Sequence, residues 1–182
     1  MILVVAATEG ELAGVDGAKG LVCGIGPVEA AATTAAAIAA DRPQAVLHVG
    51  IAGARRQSGL EAPALVVGSE ALYADVVYEP AVRSVRPAAE LVAAARRALP
   101  DAPVLPIGTS GRVGGAGHDV EAMEGFGVLR AAELAGVPAV EVRAVANEIE
   151  EPDRALWRFD EAFEAIAAAT PRLLLEIDRC VS

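Results

Sequence analysis

Lysine is almost missing from this chain: Lys19 stands alone in 182 residues, and the formal net charge is −10. Nucleic-acid phosphates and anionic membrane surfaces both call for a basic face, so neither is expected as a partner. Aromatic residues supply only 3% of a sequence that is 54% hydrophobic. The core must therefore come from Ala, Val, Leu and Ile, which suits a buried sheet covered by alanine-rich helices. No apolar run reaches the roughly 18 residues of a membrane span, and residues 1–12 lack the basic start of a signal peptide. Cysteine is scarce as well. Cys23 and Cys180 have no metal-ligand spacing, so no metal is expected and free thiols in a cytoplasmic protein are the default. A single domain over residues 1–182, acting on a small molecule, is what these absences leave.

Residues 1–7 read as a strand buried on both faces. Residues 20–26 read as a second strand ending in glycines, and 27–40 as a helix with Pro27 in its first turn. A third strand, 45–49, runs into the glycine-bearing turn GIAGA. Further strands are expected at 64–67, about 72–77, 104–107 and 139–146, with helices at 88–99 and 123–135 and a C-cap at Gly136. The loop 109–117, TSGRVGGAG, is too rich in glycine for regular structure. An amphipathic helix over 152–169 should break at Thr170-Pro171 before a last segment, 172–181. Strands alternating with helices imply an α/β fold with a mostly parallel sheet. Ligands of such sheets collect at the carboxyl ends of strands.

The stretch Gly24-Ile25-Gly26-Pro27-Val28-Glu29-Ala30 invites a dinucleotide-binding reading, since it follows a strand and opens a helix. Its third small position is displaced or filled by Glu29, whose charge would face a pyrophosphate. The next strand ends VLHVG without the carboxylate that would hold ribose hydroxyls. A tight strand-to-helix turn is the better reading, and no cofactor is expected.

Four ordered segments carry a resemblance: AATEGEL (residues 6–12), CGIGPVEAAATT (23–34), HVGIAGA (48–54) and AMEGFGVLRAAELAGVPAVEVRAVAN (122–147). Together they resemble the nucleoside phosphorylase and nucleosidase superfamily. The resemblance implies a single-domain α/β sandwich around a twisted central sheet, a nucleoside as ligand, and a homodimer or larger homo-oligomer. It assigns Glu124 to the ribose hydroxyls, Met123 to the sugar face, and Glu11 to the attacking water of the hydrolytic branch. Gly50, Ala52 and Gly53 match the small-residue turn that admits ribose and base. The loop 110–115, with Val113 and Gly114, matches the segment whose backbone meets the purine, although its usual aromatic is absent. Arg143 is implied in the network at the strand end.

Chemistry separates two reactions here. Phosphate wants arginines, hydroxyls and exposed N–H groups, whereas ATEGEL offers two carboxylates and no cation. Water needs only an acceptor to orient it and take its proton, so hydrolysis is favoured. Asn147 stands where the family's adenine-releasing nucleosidases carry an aspartate that protonates N7. An amide does not titrate in this range; it can donate N–H to a 6-oxo group and accept from N7–H. That pattern complements a 6-oxopurine. The expectation is a hydrolase of an inosine-like nucleoside, with Glu11, Glu124 and Asn147 as catalytic residues. An adenine-releasing nucleosidase and a non-catalytic nucleoside-binding protein are the alternatives. For an anionic 5′ substituent Arg112 and Arg158 are candidates, and Trp157 is equally a helix anchor or a ligand contact.

Overall fold

The computed structural model describes residues 1–181. Strand β1 (Ile2–Ala6) is apolar and buried at every position, because both of its faces are covered. It pairs parallel with β2 (Lys19–Val22) on one side and with β3 (Ala45–Ala54) on the other. Between them lies α1 (Pro27–Asp41), and after them come β4 (Leu65–Tyr73), β5 (Ser84–Val85) and α2 (Ala89–Ala98). The chain continues through β6 (Val104–Thr109), β7 (Val120–Ala122), α3 (Gly125–Ala135), β8 (Ala139–Glu148) and α4 (Phe159–Val181).

Side chains alternate across a strand, and the core follows that alternation. Leu3, Val5 and Val46 pack under α1 and α3. Ile2, Val4, Leu47 and Val49 pack under α2 and α4. The result is an α/β sandwich with one mixed eight-stranded sheet in which most pairings are parallel. At one end β3, β8, β4, β6 and β7 pair in a ring. Its interior is filled by small and branched residues, among them Ala52, Ala54, Val66, Ile107, Val120 and Val145. Ring closure leaves no open edge among these strands.

The structure differs from the sequence reading at four places. First, β3 does not turn at GIAGA but runs on to Ala54, so its glycines serve close approach rather than reversal. Second, β7 is a strand of three residues between β3 and β6, too short to show a period in sequence. Third, α4 starts only at Phe159 and passes unbroken through Pro171. A proline inside a helix costs about 3 kcal/mol. Ile166, Leu173 and Ile177 on the same helix are fully buried, and each contributes about 1.5–3 kcal/mol, so packing outweighs the local cost. The strand expected at 72–77 is the end of β4, which stops at Tyr73. No helix among the described residues is long and apolar enough to cross a membrane.

Candidate active site

The site begins where β1 ends. A single 3-10 turn, Glu9–Leu12, bends Glu11 back toward Thr8. Glu11 Oε2 accepts from the Thr8 backbone N–H at 2.8 Å and from its hydroxyl at 2.9 Å, while Oε1 accepts from Ile51 N at 3.0 Å. The carboxylate is thus tied to both β1 and β3, and only 3% of the residue is exposed. Each oxygen has two lone pairs, so Oε1 keeps one acceptor position for a water.

Glu124 caps the start of α3. Its Oε1 accepts from Gly26 N at 3.1 Å and its Oε2 from Arg143 Nη1 at 3.3 Å. The Gly24-Ile25-Gly26 turn therefore presents a backbone N–H to a carboxylate of the protein itself, which accounts for the dinucleotide-like spacing.

Behind these two acids lies Arg143, fully buried on β8. Its Nε donates to Glu141 Oε1 at 2.8 Å, its Nη1 also to Ile51 O at 3.3 Å, and its Nη2 meets His48 Nε2. A guanidinium can only donate, so His48 Nε2 accepts and Nδ1–H donates to Val5 O at 2.9 Å. Burial, reinforced by the Arg143 charge, holds the imidazole pKa well below its ordinary value. Burial pushes Glu141 up, against the pull of Arg143. The Arg143 pKa is raised: the charges of Glu141, Glu124 and Glu11 outweigh burial, which acts the other way. Burial and the charge of Glu124 push the Cys23 thiol up to about 11.

Gly50 and Arg143 both serve the buried charge network. A Cβ at Gly50 would sit 2.3 Å from Arg143 Nη1 and 2.7 Å from Glu11 Oε1, so this glycine leaves room for two charged groups. Neither Gly50 nor Arg143 lines the cavity. Arg143 orients Glu124 from behind.

The cavity itself is about 310 Å³ and opens at the ends of β1, β3 and β8. Glu11, Glu124, Asn147 and Met123 line it, as do Ala52, Gly53, Val113 and Gly114. Asn147 reaches it through a register shift. Ala52 pairs with Val145, but Gly53 pairs with Asn147, so Ala146 is skipped. Such a bulge re-aims the side chains beyond it. A Cβ at Gly53 would lie 3.1 Å from Asn147 Nδ2. That amide nitrogen donates to Glu148 O at 3.1 Å, and Oδ1 takes no bond among the described residues.

Aromatic surface comes from the entry to α4, not from the loop 110–115. Trp157, Phe159 and Phe163 line the cavity, with ring centroids 5.6 and 6.3 Å apart in sequence. Phe159 and Phe163 are indistinguishable from core positions by helical spacing alone. Arg154 lies 4.9 Å over the Trp157 ring and also lines the cavity, as does Arg112. Neither has a carboxylate within ion-pair distance among the described residues. Arg158 points elsewhere, to Glu161 and to Ala62 O at 2.6 Å. The loop of Val113 and Gly114 is pinned by Asp75, whose two oxygens accept from Ser110 Oγ and Gly111 N, each at 2.7 Å. These bonds, the backbone one foremost, hold the Asp75 pKa below its usual range.

The model of the phosphorylase superfamily matches residues 7–117. Futalosine hydrolase of Streptomyces coelicolor is 53% identical over 53 residues, which is 29% of this chain and 23% of that protein. Futalosine hydrolase of Thermus thermophilus is 43% identical over 60 residues, 33% of this chain and 27% of that protein. The match thus spans only those fractions of the curated relatives' length. Among solved structures, S-adenosylhomocysteine nucleosidase of Streptococcus pyogenes, in complex with 5-methylthiotubericidin, superposes with a TM-score of 0.82 at 21% identity, covering 100% of this chain and 97% of the other. The 5′-methylthioadenosine/S-adenosylhomocysteine nucleosidase of Helicobacter pylori gives 0.80 at 20% identity, covering 98% and 97%. At these identities the structures show the fold.

Proposed function

The chain belongs to the phosphorylase superfamily, and within it we propose a nucleosidase that hydrolyses futalosine to hypoxanthine and dehypoxanthine futalosine, a step of menaquinone biosynthesis. The observation that carries this reading is Asn147, a neutral amide on the cavity wall with its Oδ1 free. The identity to two futalosine hydrolases supports it.

Cleavage of an N-glycosidic bond passes through an oxocarbenium-like sugar. Glu124 receives the ribose hydroxyls, and its charge favours the positive ring that develops. Glu11, held by Thr8 and Ile51, orients a water on the other face and accepts its proton. Asn147 donates to O6 of the base and accepts from N7–H as the base leaves, with the proton arriving at N7 from water. Trp157, Phe159 and Phe163 supply apolar faces. Arg154 and Arg112 meet the carboxylate of the 5′ substituent, a charge that methylthioadenosine lacks.

The test is product analysis with the purified protein. Hypoxanthine should appear from futalosine in phosphate-free buffer. Strict dependence on phosphate, or adenine release from methylthioadenosine at a comparable rate, would overturn the reading.

A further inference from the structure

Glu141 is a carboxylate with 0% exposure behind the site, yet the fold asks only one hydrogen bond of it. Oε1 accepts from Arg143 Nε at 2.8 Å, and Oε2 is buried without a partner among the described residues. We propose that Glu141 is a positioning residue for cleavage: its charge offsets that of Arg143 and so leaves the Glu124 carboxylate negative toward the ribose. The inference rests on the reading of Glu124 as the ribose acid and deepens it.

A neutral acceptor would serve a single hydrogen bond at less cost, because burying a charge is expensive and an orphaned oxygen adds to that expense. Stability therefore does not account for a carboxylate here. The fold nevertheless makes room for one. Side chains two apart on a strand share a face, so Glu141 and Arg143 leave β8 together, opposite Val140 and Val142, which pack with α2 and α4. On their side lies the start of α3, where a Cβ at Gly125 would collide with both oxygens of Glu141. Gly125 directly follows Glu124, so the glycine admits the second carboxylate next to the first.

The arrangement of the guanidinium gives the charge its purpose. Among the charges that stabilise Arg143, Glu141 comes first, before Glu124 and Glu11. Its Nη1 reaches Glu124 Oε2 at 3.3 Å. With no countercharge at Nε, Arg143 and Glu124 would form a nearly neutral pair at the place where the sugar becomes positive. With Glu141 on Nε, the arginine is already offset and Glu124 keeps its charge. Fixed charges aimed at the charge that develops in the transition state act strongly where water is excluded.

Calorimetry with two ribose-sized probes tests this without a base or a leaving group. One is iminoribitol, a cation at neutral pH, and the other is anhydroribitol, its uncharged counterpart. Burial pushes the Glu141 pKa up, against the pull of Arg143, so the titrations are run at about pH 7 rather than in acid, to keep the charged form. The unaltered protein should bind the cation at least tenfold tighter than the neutral probe. Glu141→Gln keeps an oxygen for Arg143 Nε and removes the charge. It should lower the cation's advantage at least fivefold and leave affinity for the neutral probe within about threefold. Glu141→Asp keeps the charge with poorer packing and should hold the advantage within about threefold. A purely structural role predicts the reverse order, so an advantage retained in Glu141→Gln, or lost in folded Glu141→Asp, overturns the assignment. Should Glu141→Gln not fold, Glu141→Asp decides alone. If the unaltered protein shows no preference for the cation, the placing of Glu124 at the ribose falls, and this inference with it.

Discussion

Gly50→Ala isolates the part of the site that depends on two opposite charges being held close together. The added methyl would lie 2.3 Å from Arg143 Nη1 and 2.7 Å from Glu11 Oε1. Ordinary contacts begin near 3.5 Å, so each group must retreat by about 1 Å. Neither can swing freely. Glu11 is bound to Thr8 and Ile51, and Arg143 to Glu141, Glu124, Ile51 and His48. Overpacking of this kind costs about 1–3 kcal/mol, which for a chain of this size is a fall of a few degrees or more in Tm. A misplacement of about 1 Å in a catalytic group lowers turnover on the order of 100-fold. Steady-state kinetics on futalosine, with a thermal melt of the same sample, measure both effects. Gly53→Ala is the internal comparison. Its methyl would meet Ile149 at 3.0 Å and Asn147 Nδ2 at 3.1 Å, a milder push on the base side, so KM should change more than kcat. If Gly50→Ala melts and turns over like the parent protein, the packing of Arg143 against Glu11 does not govern the site.

The other expectations concern single groups. Asn147→Asp should raise activity on 6-amino nucleosides relative to 6-oxo ones, measured as a ratio of kcat/KM values; an unchanged ratio removes Asn147 from base reading. Glu11→Gln should lower kcat at least tenfold, about 1.4 kcal/mol of transition-state stabilisation, with the fold intact by circular dichroism; near-parental turnover excludes it as the base for water. His48 has a folded-state pKa well below its ordinary 6.5, so below that pH the unfolded chain binds the extra proton and stability falls as pH falls. That component has a limiting slope of about 1.4 kcal/mol per pH unit, and the raised pKa of Glu141 opposes it. Denaturant midpoints between pH 7 and 5 should therefore decline less in His48→Gln than in the parent protein, and parallel declines would show that His48 does not carry the slope.

The alternation of apolar strands with alanine-rich helices is enough to read the α/β architecture, and β1, buried on both faces, shows it as an unbroken apolar run. Context decided the rest. GIAGA reads locally as a turn, yet β3 continues through it because neighbouring side chains occupy the space over Gly50 and Gly53. Pro171 reads locally as a break, yet a buried helical face holds α4 together across it. In both places a long-range contact overrides a local preference. Glu11 and Asn147 stand just after the strand ends that the sequence suggests, and Glu124 is singled out by the family resemblance. Phe159 and Phe163 are not singled out, because the apolar spacing of a helix is the same whether its face meets core or ligand.

The aim of Asn147 shows the harder limit. Without the shift between Ala52 and Gly53, Ala146 would stand opposite Gly53 and the amide would lie one pair further along. A one-residue slip reverses which face a side chain occupies, so the bulge, not the identity of the residue, brings Asn147 beside the cavity. Inserting one alanine after Ala146 should therefore be more damaging than its small volume suggests. The new residue would stand opposite Gly53 and turn Asn147 from the base, while Arg143 and Glu124, which precede the bulge or lie outside the strand, keep their places. Base affinity would then be lost with the buried charge network intact, an outcome that calorimetry with free hypoxanthine and a melt of the same variant would separate from simple unfolding.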